Sequence, residues 1–346
     1  MIGAEHFIIL ALAFVCAFMV SLFTVPLFIK IALIRGILDS PTTLKNHAVA
    51  TPYLGGLAVY SAFIIVLALF FPGYWNLSFF LIGATLLLLL GLVDDLVPLS
   101  ALYKFLGQVI AALCFLKGGF SLKHEFIGAL SFSISIFLIL ISFFWILTIV
   151  NAFNLIDIMD GLAATAAIGS LIGFLIFALF YEVYSVSLLI VICVGSLFGF
   201  FIFNKSPARI YLGDAGSLFI GGLLATIPFM IPWGTYTVFG FFTPLIILAV
   251  PIFEVISLII IRSYKRIPFY LGSRDHFAHY LIDKKWKKSE ILLFVSFINS
   301  LLICLAFLFN INILSLPTTC TIAVILLVAW CATLYLKFTH LFIDNR

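Results

Sequence analysis

The chain has 346 residues, 65% of them apolar and 9% charged, with 40 phenylalanines, a balance outside the range of soluble domains. Such a composition places the chain in a bilayer and leaves no stretch long enough for a soluble domain of useful size. A net charge of +4 implies no nucleic-acid partner, because in a membrane protein the placement of charges carries more meaning than their sum.

A hydrocarbon core of about 30 Å takes roughly 20 apolar residues per helix. Runs of that kind predict eleven spans, centred near residues 18, 63, 84, 110, 139, 171, 194, 223, 249, 301 and 327. The first begins near Phe7, with no basic stretch before it and no cleavage signal after it, and so reads as a span. The fourth, over residues 103–117, is the shortest. The six cysteines lie in or beside these runs without Cys-x-x-Cys spacing and read as packing residues. The fold class predicted is an all-α, polytopic integral membrane protein forming one domain over residues 1–346.

Basic residues orient such a chain. With the N-terminus outside and the C-terminus cytoplasmic, all of the 18 lysines and arginines except Lys117 and Lys123 fall on the inner side. The acidic residues follow them, although the orientation rule does not require it: of 14, only Glu5, Glu125 and Glu182 fall outside. Carboxylates at a membrane boundary are costly unless paired, hydrated or bound to a cation. Chemistry is therefore expected on the inner face, with Glu254 as the main carboxylate left inside a span.

Five stretches carry candidate residues. The first, Lys45-Asn-His47 followed by Thr51-Pro52 and Gly55-Gly56, offers cations near the inner surface and a backbone able to bend. The second is Asp94-Asp95 at the end of the third span, with Lys104 beyond it. Adjacent helical positions point about 100° apart, so the two carboxylates divide labour, one facing a phosphate or cation and the other a proton. The third, Asn151-Ala-Phe-Asn154-Leu-Ile-Asp157-Ile-Met-Asp160-Gly161, repeats a polar residue every third position. On a helix that spacing gives one polar wall, whose hard oxygens suit Mg²⁺ or a nucleobase edge.

The fourth stretch is Asn204-Lys-Ser-Pro207-Ala-Arg209-Ile-Tyr211-Leu-Gly213-Asp214-Ala-Gly216-Ser217. It places small residues and a carboxylate just before a helix, where free N–H groups favour phosphate and Asp214 can hold Mg²⁺ against it. Neither a Walker loop nor Gly-x-Gly-x-x-Gly is present. The fifth, Ser273-Arg274-Asp275-His276-Phe277-Ala278-His279-Tyr280, puts two histidines at i and i+3 beside an arginine, a set fit to bind an anion or move a proton. Zinc is disfavoured there, since no cysteine lies nearby.

Taken in this order over residues 45–281, the five stretches resemble the polyprenyl-phosphate N-acetylhexosamine-1-phosphate transferases of glycosyltransferase family 4, bacterial enzymes of the inner membrane. The resemblance implies that Asp214 and Asn154 bind Mg²⁺, with Mn²⁺ as a substitute, that Asp94 and Asp95 serve the lipid phosphate, and that Lys104 contacts the diphosphate. Asp160, Asn204 and Tyr211 are implied near the uridine, and His276, Arg274 and Lys45 around the phosphates or the sugar. Asn151, Asp157 and His279 join the substrate-binding set through the wall and the histidine pair described above.

The partners implied are a UDP-amino sugar, a polyprenyl phosphate and the membrane, with the oligomeric state open. The reaction implied is attack of the lipid phosphate on the sugar-proximal phosphorus, with UMP leaving on the cytoplasmic side. Ala278 and Ile158 depart from the family pattern, at a site often occupied by histidine and one often occupied by glycine. Tyr53-Leu54, His-x-x-His and eleven spans favour the UDP-GlcNAc branch over the branch that uses UDP-MurNAc-pentapeptide. A transporter, the competing class, would carry polar groups near midspan on both sides of the centre.

Overall fold

The structure, a computed structural model, describes residues 3–39, 50–70, 77–122, 132–235, 239–268 and 274–343. Lys45, Asn46 and His47 of the first candidate stretch lie outside the described residues, as does Ser273.

Thirteen α-helices are present among the described residues: α1 (Ala4–Arg35), α2 (Gly55–Phe70), α3 (Leu77–Leu96), α4 (Ala101–Lys117), α5 (Phe132–Ile156), α6 (Leu162–Phe180), α7 (Tyr184–Asn204), α8 (Gly213–Thr226), α9 (Thr243–Ile247), α10 (Ala249–Tyr264), α11 (Phe277–Asp283), α12 (Lys288–Asn310) and α13 (Leu316–Ile343). The strands are β1 (Leu38–Asp39) and β2 (Thr51–Pro52), a two-residue antiparallel ribbon pairing Leu38 with Pro52 and Asp39 with Thr51. The protein is thus all-α and polytopic, as its composition requires.

Every predicted span centre falls on a helix, that near residue 249 on the first residue of α10, beside a break. There α9 and α10 meet at Leu248 with a bend of 71°. Pro251, in the first turn of α10, lacks the N–H that would continue α9 by bonding to the Ile247 carbonyl. Among the described residues, seven helices are long and apolar enough to cross a bilayer, with an eighth if α9 and α10 count together. α2 and the stretch Leu316–Cys331 are shorter apolar helices.

Two compact units make up the chain, Met1–Pro232 and Trp233–Arg346. In the first, α1 packs on α7 and α2, α3 on α8 and α4, α5 on α8, and α6 on α7. The hub is α8, in which every residue except Asp214 is buried. Its sequence, with glycines at 213, 216, 221 and 222, lets neighbouring backbones approach closely, the usual device where lipid supplies no hydrophobic drive between helices. The outer helices show lipid-compatible faces instead, Phe23 on α1 being 78% exposed and Phe144 on α5 62% exposed. In the second unit, α12 packs against α9 and α10, while α13 packs against α10 and α11.

Candidate active site

Close packing of α3 on the start of α8 fixes the first pair of carboxylates. A Cβ added at Gly91 would lie 2.2 Å from the Asp214 carbonyl oxygen, so only glycine allows α3 to approach there. One turn further, Asp95 accepts the main-chain N–H of Asp214 at 2.8 Å and that of Ala215 at 3.0 Å. These are orphan donors at the N-terminus of α8, where the helix dipole also favours negative charge. Gly213 enters the helix at φ +71°, and a Cβ there would sit 2.6 Å from Asp95 Oδ2. Glycine therefore serves both the left-handed backbone and the space the carboxylate needs.

The neighbouring Asp94 points elsewhere, as the spacing on a helix requires. Its Oδ1 accepts the Leu99 N–H at 2.7 Å and its Oδ2 pairs with Lys104 Nζ at 2.9 Å. Lys104 is the centre of the cluster: the same ammonium donates to Asn154 Oδ1 at 3.1 Å and to Asp214 Oδ2. Asn154 completes the ring, donating from Nδ2 to Asp214 Oδ1 at 2.8 Å and to Ser217 Oγ at 3.0 Å. Four helices, α3, α4, α5 and α8, each contribute a side chain to one charged knot.

That knot is rich in anions. Asp157, just past the end of α5, has its carboxyl pushed well above the usual range, by burial first and then by the charges of Asp214, Asp95 and Asp160. Oxygens of Asp94, Asn154 and Asp214 converge on one cationic centre, the Lys104 ammonium. Such hard oxygens form the donor set that Mg²⁺ prefers, and the residues present fit that ion. Among the described residues no three carboxylate, imidazole or thiol groups cluster at metal-binding spacing. Mg²⁺ commonly uses one or two carboxylates and completes its shell with water and substrate phosphates, so the two observations agree.

The predicted polar wall of the third stretch is corrected in part. α5 ends at Ile156, so Asn151 and Asn154 lie on a helix whereas Asp157 and Asp160 lie in the turn to α6. Bonds to the fourth stretch draw the chain out of the helix: Asp160 Oδ2 accepts the Ala208 N–H at 3.3 Å, and Asn204 Oδ1 accepts the Gly161 N–H at 3.0 Å. Asn204 Nδ2 donates in turn to the Ile210 carbonyl at 2.8 Å. With both amide atoms engaged, the buried Asn204 braces the loop of residues 205–212. The Tyr211 N–H donates to the Pro52 carbonyl at 2.8 Å, and its half-buried ring stands 6.4 Å from that of Tyr53.

Asn151 does not reach the knot's centre. It exchanges two hydrogen bonds with Gln108 of α4, at 2.8 and 3.2 Å, an amide pair one turn behind Asn154. Gln108 was absent from the sequence-based candidates. Its signal was present, because a glutamine four residues after Lys104 in an apolar run shares that lysine's helix face.

The second unit holds the fifth stretch. His276, buried and immediately before α11, bonds through Nδ1 to Glu254 Oε1 of α10 at 2.8 Å. The His279 ring lies edge-on to that of His276 with centroids 5.9 Å apart, which is the i, i+3 neighbourhood predicted. Arg274 is exposed.

Residues 77–231 match the model of glycosyl transferase family 4, a segment that encloses the whole charged knot. A relative from Bacillus subtilis, named a probable undecaprenyl-phosphate N-acetylglucosaminyl 1-phosphate transferase, is 31% identical over 281 residues, covering 80% of this chain and 78% of its own. Phospho-N-acetylmuramoyl-pentapeptide-transferases from Streptococcus pneumoniae and Listeria innocua are each 31% identical, over 274 and 240 residues. These alignments cover 72% and 63% of this chain, and 80% and 74% of the relatives. Since the matched segment carries the residues that meet around Lys104, and the Bacillus relative is similar over most of both chains, the chain belongs to glycosyl transferase family 4.

Proposed function

We propose that this protein transfers N-acetylglucosamine 1-phosphate from UDP-N-acetylglucosamine to a polyprenyl phosphate, on the cytoplasmic side of the bacterial inner membrane, releasing UMP. The observation that carries this reading is the convergence of Asp94, Lys104, Asn154 and Asp214 at the ends of apolar helices. An anion-handling centre at the end of a span lets a water-soluble donor meet an acceptor whose tail stays in the bilayer. The inner-side bias of the basic residues supports the cytoplasmic placement.

In the reaction, an oxygen of the lipid phosphate attacks the sugar-proximal phosphorus. The bond from that phosphorus to the bridging oxygen breaks, and UMP departs with the electron pair. Both reactants are anions, so positive charge must offset their repulsion and stabilise charge spread over the transferred group. Asp214 and Asn154 would hold Mg²⁺, which when bound supplies that stabilisation. Lys104 leaves its carboxylates to meet the diphosphate, and Asp94, freed by that move, keeps the acceptor phosphate deprotonated. Asp95 keeps the start of α8 in place. Asp160 and Asn204 act by setting the loop that carries Arg209 and Tyr211, while His276, Arg274 and Lys45 meet phosphate or sugar oxygens.

Purified protein given UDP-N-acetylglucosamine, undecaprenyl phosphate and Mg²⁺ should release UMP and yield a lipid diphosphate carrying the sugar, scored by mass. Failure to release UMP from any UDP-amino sugar rejects the reading. A second donor is favoured by the Streptococcus and Listeria relatives, whose 31% identity equals that of the Bacillus relative. Product formed only with UDP-MurNAc-pentapeptide selects it.

A further inference from the structure

We infer that Glu254 is a positioning residue for His276: it holds the imidazole by Nδ1 and thereby leaves Nε2 as the atom offered to an anionic substrate. The inference rests on the transferase reading above. Glu254 is the carboxylate that the charge pattern leaves inside a span, well away from either end of the α9–α10 pair. It is fully buried, and His276 is only 5% exposed. The two meet at 2.8 Å across 22 residues of sequence, through Nδ1 and Oε1. Among the described residues, Glu254 Oε2 has no hydrogen-bond partner, and the Ser257 hydroxyl nearby donates to the Glu254 main chain rather than to its carboxylate.

Two other charged groups of this unit bear on the pair, Asp275 and Arg262. Asp275, next to His276 in sequence, pairs with Lys265 at 2.5 Å. Arg262 lies two turns beyond Glu254 on the buried side of α10, within reach of the charges of both Asp275 and Glu254, and His279 sets a ring edge against His276. Glu254 is therefore the acid that touches the imidazole. A carboxylate inside a span is costly, and a buried ion pair is a poor way to gain stability when apolar packing serves as well. The bond is directional, however. A carboxylate accepting Nδ1–H selects one tautomer and one ring orientation. The bond to Glu254 uses Nδ1, and Nε2 is the ring nitrogen which that choice leaves over.

The test uses the full-length protein in detergent, as wild type and as Glu254→Gln and Glu254→Asp. UMP release gives kcat and KM for each substrate. ¹⁵N-histidine spectra, with His276 assigned by loss of its signal in His276→Gln, give its tautomer independently of activity. The wild type should show His276 protonated at Nδ1. Glu254→Gln should disturb that signature and lower kcat about 10- to 100-fold, the usual effect of losing a group that orients a working histidine, with KM and thermal midpoint nearly unchanged. Glu254→Asp should recover part of kcat. Wild-type kcat in Glu254→Gln overturns the inference, as does a lowered kcat with an unaltered His276 signature, the mark of a structural role. A wild type that releases no UMP from any donor overturns the transferase reading, and this inference with it, whatever the spectra show.

Discussion

The knot around Lys104 and the pair at Glu254 solve one problem in different ways. Each keeps carboxylates in a chain that is 9% charged and mostly apolar. The first unit gathers its carboxylates at helix ends, where Lys104 at 18% side-chain exposure and Asp214 at 32% still meet water. The second buries one carboxylate completely and gives it one imidazole. At a helix end, a group can exchange its protein cation for another, because water softens the intermediate state. Inside a span no such exchange is affordable, and the charge is useful only for holding its partner. The first arrangement suits a centre that binds and releases phosphates, and the second suits a fixed orientation.

Replacing Asp214 should break the first arrangement most severely. It bonds to both Lys104 and Asn154, so Asp214→Ala removes the proposed metal ligand and one of the anions that hold the ammonium. Turnover should fall by about 10³-fold or more, as when a main electrostatic contributor to a transition state is lost. UMP release at saturating Mg²⁺ measures it, and near-normal activity would end the metal role. Lys104→Met should cost less, about 10²-fold, while leaving Asp94 and Asp214 without their shared counter-charge. If the ammonium and a divalent ion occupy the same region in turn, this variant should also show a changed Mg²⁺ requirement.

Gly91→Ala tests the scaffold rather than the charge. Its new methyl group would meet a main-chain carbonyl at 2.2 Å, which no flexible side chain can relieve. Overpacking of this kind costs about 1–3 kcal/mol. Thermal unfolding should register that loss, and turnover should drop because Asp94 and Asp95 ride on the same turn of α3. An alanine tolerated without change in either would show that α3 does not set the site.

The sequence disclosed these features unequally. Helix positions were legible because twenty-residue apolar runs have few alternatives, and even the short α4 was found. The break at Leu248 was not, since Pro244 and Pro251 are tolerated in membrane helices and only packing reveals the bend. Asp94, Lys104, Asn154 and Asp214 stood out as polar groups at the ends of apolar runs. Their grouping around Lys104 was invisible, for it depends on four helices meeting. The different duties of Asp94 and Asp95 were also hidden. A 100° difference in direction says that they differ, but only the N-terminus of α8 says which one caps. Gln108 was passed over because a lone amide in a span looks like background until its partner Asn151 is in view.

The smallest effect expected lies at Asp157, where the anionic excess of the knot can be read without turnover. Burial and the charges of Asp214, Asp95 and Asp160 push its carboxyl well above the usual range, so the folded protein holds its proton more tightly than the unfolded chain does. A raised folded-state pKa gives stability that is complete below the unfolded pKa and is lost as pH rises through the folded one. Asp157→Asn removes this loss. The variant should unfold at nearly the wild-type temperature in acid and at a higher temperature above neutrality, with Mg²⁺ withheld. Tryptophan fluorescence during heating measures both. The same gap should narrow when Mg²⁺ is added, because a cation among these carboxylates relieves the repulsion that the substitution relieves in its absence. A gap that is constant with pH would mean that Asp157 is hydrated and independent of the knot, and that the anionic excess stops at Asp214.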